Sequence, residues 1–134
     1  MANIHFIRQK ELNGLGDAIY HARFHCSNEP FAVLLGDTII DSVIPVTQQL
    51  IDSYEQYRQT IIAVETVPWD KVSRYGIAGG IMISDKEMQL NNLIEKPDRK
   101  QAPSNLAIAG RYILTPEIFK AIEKTPGERV TKFN

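Results

Sequence analysis

A single cysteine, Cys26, is all that the 134-residue chain contains, and one thiol cannot close an internal disulfide, so the disulfide-framed secreted scaffolds are excluded. Charge of one sign is equally scarce. Fifteen Lys and Arg stand against sixteen Asp and Glu, a formal net charge of -1, and the basic residues are scattered, so the composition carries no nucleic-acid footprint. No apolar run approaches the roughly 20 residues that cross a bilayer. There is no signal-peptide h-region, repeat or low-complexity tract. These absences lead us to expect a cytoplasmic chain with no nucleic-acid and no membrane partner. What is present is an ordinary globular composition, 43% hydrophobic and 23% charged, enough for one core and a single domain over residues 1–134. Any anionic ligand must therefore be held by local groups.

The most informative stretch is Val33-Leu34-Leu35-Gly36-Asp37. A short apolar run closed by glycine and a carboxylate reads as a fully buried parallel strand, covered by helices on both faces. Ligands of open α/β sheets gather beyond the carboxyl ends of such strands. Asp37 thus stands where a carboxylate could hold Mg²⁺ against a phosphate, because Mg²⁺ takes one or two carboxylates plus substrate oxygens. Gly36-Asp37 reads equally well as the turn after a strand.

Around it the apolar run at 4–7 predicts a strand leading into a loop. Gly14 and Gly16 precede Asp17 and a helical pattern over 18–24, so Asp17 is expected at the N-cap. Glycines before a helix let the backbone approach a flat ring or a phosphate, although turn and capping chemistry explains them as well. His21, His25 and Cys26 do not make a metal site, since Cys26 adjoins His25 instead of sharing its helix face. Residues 43–58 carry apolar positions at three- and four-residue intervals, a helix with Pro45 in its first turn. Residues 60–67 are rich in β-branched side chains and predict a strand ended by Pro68. Strand, helix, strand, helix, strand implies a parallel, Rossmann-like sheet.

After Trp69, residues 75–83 and 88–94 flank Ser84-Asp85-Lys86-Glu87, which predicts a β-hairpin ending at Glu95-Lys96-Pro97. A carboxylate beside an ammonium could orient sugar hydroxyls and neutralise a phosphate, or be a solvated surface pair. Neighbours on a regular strand point to opposite faces, so joint action requires a bend, expected at Pro97. Residues 106–114 return as a strand, and Thr115-Pro116-Glu117 opens a helix to about Lys124 with threonine as its cap.

In order and approximate spacing, Gln9, Gly14-Leu15-Gly16-Asp17-Ala18, Leu35-Gly36-Asp37, Arg74-Tyr75-Gly76, Glu95-Lys96-Pro97 and the run from Ser104 to Tyr112 resemble bacterial UTP–glucose-1-phosphate uridylyltransferases. The resemblance covers nearly the whole chain but only the middle of such an enzyme. The N-terminal G-x-G-T-R loop and the C-terminal part of the pattern are not among these residues. It implies an α/β fold, an incomplete Rossmann-like nucleotide-diphospho-sugar transferase sheet with helices on both faces and a β-hairpin insertion. It further implies that Gln9 and the Gly14 backbone read uracil and that Asp37 holds Mg²⁺ as a catalytic group. Gly76, Glu95 and the Ile108 backbone would contact the sugar, while Lys96 approaches its phosphate as the second catalytic group. The implied reaction joins UTP and glucose 1-phosphate into UDP-glucose and pyrophosphate, and without the arginine loop the chain alone is expected to be inactive. A sheet without its first strand exposes an apolar seam, from which we expect a homo-oligomer. Two other readings compete: a non-catalytic sugar-nucleotide-binding or regulatory relative, and a scaffold fragment without ligand chemistry.

Residues 128–134 fall outside the resemblance. In the family a segment close to Gly-Asp-Glu-Ile-Gln-Leu-Thr-Asp follows the last helix. Arg129 to Asn134 can be encoded CGG GTG ACG AAA TTC AAT, and dropping the first two bases gives GGT GAC GAA ATT CAA, which reads Gly-Asp-Glu-Ile-Gln. We therefore expect a non-native or frameshifted tail. The gene sequence checks this: its codons should yield the family segment in the alternative frame, and any other reading there removes the idea.

Overall fold

The computed structural model describes residues 1–125, so the tail expectation lies outside the described residues. The chain divides into two compact units: Met1–Phe31 with the described residues from Leu114 onward, and Ala32–Ile113.

In the larger unit, α2 (Val46–Tyr57) follows β1 (Phe31–Leu34) and leads to β2 (Ile61–Thr66), a 3-10 helix (Trp69–Arg74) and the strands β3 (Gly76–Met82), β4 (Met88–Glu95) and β5 (Leu106–Leu114). The strands run β1-β5-β3-β4, with β2 also paired to β5. Because β2 lies along β5 from Ile113 to Leu106, and a strand has only two edges, β1 and β3 share the opposite one. The parallel sheet expected from the crossovers is not what forms here. The β2–β5, β3–β4 and β3–β5 pairs are all antiparallel. The two strands joined by α2 are separated by β5, which arrives from much later in the sequence. Nor is β1 fully buried: Ala32 and Leu34 are exposed while Phe31 and Val33 are half-buried. Ala32 and Leu34 alternate with the half-buried pair and so share one face of the strand, the face left exposed among the described residues.

The helical spacing read in 43–58 has its cause in one apolar stripe. Leu50 is buried with Ala63, Ala109 and Ile113, and Val46, Tyr54, Ile40 and Ile61 pack around them. Pro45 is the N-cap of α2 instead of lying in its first turn. A second cluster joins Val67, Val72, Ile77 and Ala107. The 3-10 helix, which the sequence pattern did not reveal, exists to deliver Val72 to it. Ser104 and Asn105 stitch these layers together: the Ser104 hydroxyl donates to the Ala78 carbonyl, and Asn105 exchanges bonds of 2.9 Å with Val67.

In the smaller unit α1 (Gly14–His21) packs with α3 (Glu117–Lys124). Phe119 stacks on Phe31 with ring centroids 5.4 Å apart and meets Tyr20 edge-on. Three expectations change. Residues 1–9 form no strand, because an extended run gains stability only from a ladder partner and none of the described strands pairs with it. Asp17 is not the N-cap, since the helix begins earlier, at Gly14 after Asn13. Thr115 does not cap α3; its N-cap is Pro116, and the Thr115 side chain instead hydrogen-bonds Glu117, holding that exposed carboxyl below the usual range. Among the described residues no helix is long and apolar enough to cross a membrane.

The hairpin shifts register between Gly79↔Asn92 and Gly80↔Leu90, leaving Asn91 as an extra residue on β4. At that bulge the backbones close on each other: a Cβ at position 80 would collide with the Gln89 carbonyl. Gly80→Ala is therefore expected to destabilise the chain by about 1–3 kcal/mol, the usual range for overpacking. Denaturant unfolding measures it, and an unchanged midpoint would contradict this account of the bulge.

Candidate functional site

Two groups of side chains lie where the sequence expected chemistry, one in each unit. In the smaller unit Gln9 and Gly14 come together. The Gln9 amide donates to the Gly14 carbonyl at 3.3 Å and to the Asp17 carboxylate at 2.7 Å. His21 Nδ1 lies 2.8 Å from the Asp17 carbonyl oxygen and 3.6 Å from its carboxylate. Asp17, expected as a helix cap, thus orients Gln9. With its N–H₂ occupied, Gln9 keeps its carbonyl oxygen as an acceptor.

In the larger unit Gly76, Glu95 and Ile108 converge. Gly76 is the register partner of Glu95, and Ile77 pairs with Ala107 on β5, which brings Ile108 alongside. A Cβ at position 76 would lie 3.0 Å from Glu95 Oε2 and 3.1 Å from Ile108 Cδ1. The glycine is what leaves the carboxylate room. Beyond Glu95 the bend falls at Lys96, not at Pro97: Lys96 has φ 46, in the left-handed region that side chains rarely adopt, and its amide donates to the Tyr75 carbonyl at 2.9 Å. Pro97 is buried, whereas Glu95 and Lys96 are exposed. This bend ends the strict alternation that would separate the two charges across the sheet.

Asp37 sits in the turn after β1, exposed, with the Thr38 hydroxyl 3.4 Å from its Oδ1. The turn is fastened to β5 a short step from Ile108. Leu35 donates to the Gly110 carbonyl at 3.0 Å, and Arg111 donates to the carbonyls of Leu35, Thr38 and Gly110. Gly110 has φ 70, and a Cβ there would press on the Thr38 hydroxyl at 3.2 Å, so conformation and space both ask for glycine. Among the described residues no group of three side chains could hold a metal unaided. A lone accessible carboxylate nevertheless suits Mg²⁺, which completes its shell with water and phosphate oxygens.

The nucleotidyl transferase profile matches residues 1–133. The chain belongs to the nucleotidyl transferase family. It is 48% identical over 124 residues to the UTP–glucose-1-phosphate uridylyltransferase of Bacillus subtilis, covering 92% of this chain and 42% of that protein. To the enzyme of the same name from Staphylococcus haemolyticus it is 49% identical, covering 92% and 43% respectively. Among solved structures, a UDP-glucose pyrophosphorylase complexed with UDP-glucose superposes with a TM-score of 0.86 at 40% identity, covering 94% of this chain and 49% of that one. A UTP-bound enzyme of that kind from Acinetobacter baumannii gives 0.83 at 32% identity, covering 93% and 45%. This nucleotidyl transferase chain therefore spans less than half the length of these relatives. Their fold is the α/β class expected from the sequence.

Two residues of this site lay inside a quoted motif without being given a role. Arg111 had a legible signal, a charge in an otherwise apolar strand, which demands partners when the strand is covered. Tyr112 had none, because its setting depends on Glu95 from another strand. Burial first, and the Glu95 charge second, push the Tyr112 phenol above its ordinary value of 10.0. A raised value in the folded state means that the unfolded chain releases this proton first. The resulting stability is whole below the ordinary value and is lost as pH climbs from there through the folded-state value. Glu95→Gln should lower the Tyr112 value yet leave it above the ordinary one, since burial remains. Tyrosinate absorbance, assigned with Tyr112→Phe, measures this, and an unmoved titration in Glu95→Gln would contradict it.

Proposed function

We propose that the protein to which this chain belongs forms UDP-glucose and pyrophosphate from UTP and glucose 1-phosphate, and that these residues supply its uracil-reading and sugar-binding parts. The observation that carries the reading is the convergence of Gly76, Glu95 and Ile108, with Lys96 turned out at the end of the same hairpin. It is further supported by the names of the relatives.

In this reading Glu95 accepts hydrogen bonds from glucose hydroxyls, in the room that Gly76 leaves, and the Ile108 backbone borders the sugar. Lys96 neutralises the sugar phosphate. One phosphate oxygen attacks the α-phosphorus of UTP; that P–O bond forms, the bond to the bridging oxygen breaks, and pyrophosphate departs with the electron pair. Gln9 accepts from uracil N3–H while the Gly14 backbone borders the ring. Bound Mg²⁺, held by Asp37, would supply charge neutralisation between the phosphates. The rest of the rate comes from holding the reactants in line.

Self-association belongs to the same reading, supported by the exposed apolar side chains Leu34, Ile81, Met82 and Leu93. A non-catalytic relative could dispense with Asp37 and Lys96, so their joint presence favours the enzyme.

Calorimetry on the 134-residue chain tests the assignment. UDP-glucose should bind, and Glu95→Gln and Gly76→Ala should each weaken it by about tenfold, the size of one charge-assisted hydrogen bond, while UMP binding stays unchanged. Gln9→Ala should weaken both ligands. Equal losses for UMP in the first two variants would remove the sugar assignment. Given UTP, glucose 1-phosphate and Mg²⁺, the same polypeptide should form no detectable UDP-glucose, because the arginine loop that the resemblance makes responsible for neutralising charge is not among its residues.

A further inference from the structure

Arg111 is the charged member of β5, whose sequence is LAIAGRYIL. Among the described residues, all of its side chain's hydrogen-bond partners are main-chain carbonyls. Nη1 donates to Leu35 at 3.1 Å and to Gly110 at 2.9 Å, and Nη2 to Thr38 at 2.5 Å. Leu35 and Thr38 are the two ends of the turn that carries Asp37, so one guanidinium grips the turn at both ends and ties it to β5.

Besides this grip the base of the turn has the Leu35 amide's bond to the Gly110 carbonyl at 3.0 Å, but its tip is loosely held. A Cβ at Gly36 would meet nothing within 4 Å, Asp37 is exposed, and the closing bond from the Thr38 amide to the Leu35 carbonyl is long, at 3.3 Å. Packing at the exposed tip therefore does little to fix the carboxylate. We propose that Arg111 is a positioning residue: it locks the Leu35–Thr38 turn so that Asp37 meets a divalent cation in one preset place. This rests on the reading of Asp37 as the Mg²⁺ carboxylate. The planar fork of arginine reaches both turn carbonyls at once, whereas the single nitrogen of lysine would serve one geometry at a time.

Charge and positioning predict opposite signs, which makes the idea testable. Taking away a cation beside the turn should strengthen binding of a divalent ion by Coulomb's law. Taking away a positioning group should weaken it, commonly by about tenfold to a hundredfold when the partners behind a metal ligand are lost. The probe is Mn²⁺, followed by electron paramagnetic resonance on the 134-residue chain saturated with UDP-glucose, at a temperature where circular dichroism finds every variant folded. Arg111→Met is expected to weaken Mn²⁺ binding by about tenfold, and Arg111→Lys by less. Asp37→Ala should lose the site. Val72→Ala, a buried substitution in the other cluster, reports general loosening and should leave Mn²⁺ affinity unchanged.

Unchanged or tighter Mn²⁺ binding in Arg111→Met, with the site lost in Asp37→Ala, overturns the positioning role and leaves the proposed function standing. An equal loss in Val72→Ala also overturns it, by reducing the effect to general destabilisation. Undiminished binding in Asp37→Ala overturns the metal assignment, and the inference with it.

Discussion

The groups of the larger unit proposed to meet sugar and metal are tied together by the hydrogen bonding of β5 along both of its edges. One edge is taken by β2 from end to end and the other is shared by β3 and β1. Its N-terminal part presents Ile108 to Gly76 and Glu95. Its middle fastens the Asp37 turn through Gly110 and Arg111. A strand bound on both sides has little freedom to slide, since a slip of one residue would turn every side chain to the other face. The groups assigned here to sugar and to metal are therefore spaced by a single rigid element, which is the condition for holding reactants to within a fraction of an ångström.

Departures from regularity in β5 are what make this possible. Its pairing with β2 jumps from Ile62↔Tyr112 to Val64↔Ile108, so β5 carries two residues more than its partner there, around Gly110 with its positive φ. That irregularity aims the Arg111 side chain back at the Asp37 turn. The hairpin carries two further irregularities, the β3–β4 bulge and the left-handed Lys96. Bulges of this kind gather near binding sites because they redirect side chains without breaking the sheet.

Elements whose cause is local were legible in the sequence. The β-branched run of β2, the hairpin with its polar loop, and the apolar stripe of α2 all formed within a few residues of the expected bounds. Gly76, Glu95 and Ile108, singled out by motif order, do lie together in space. Contacts between distant segments were not legible. Nothing near Val33 or Ile62 announces that residues 106–114 will come between them, so an argument from consecutive crossovers gave the wrong neighbours. Ile4-His5-Phe6-Ile7 has the composition of a strand but finds no ladder. Lys96 takes a conformation that its residue type disfavours, and only the surrounding structure can impose that.

The polar residues of the larger unit divide by burial in a way that physical chemistry requires. Glu95, Lys96 and Asp37 are exposed, where an ionised group keeps its hydration and can stay without an ion-pair partner at little cost. Arg111, Ser104 and Asn105 are half-buried, and each spends its donors on main-chain carbonyls of a neighbouring segment. Among the described residues no buried side-chain polar atom is left without a partner. The half-buried groups are thus satisfied within the fold, and Glu95, Lys96 and Asp37 are among the charged groups left facing water. Under the proposed function, binding exchanges water for phosphate and hydroxyl oxygens at these exposed side chains, which confines the ordering that a ligand must impose to a few groups.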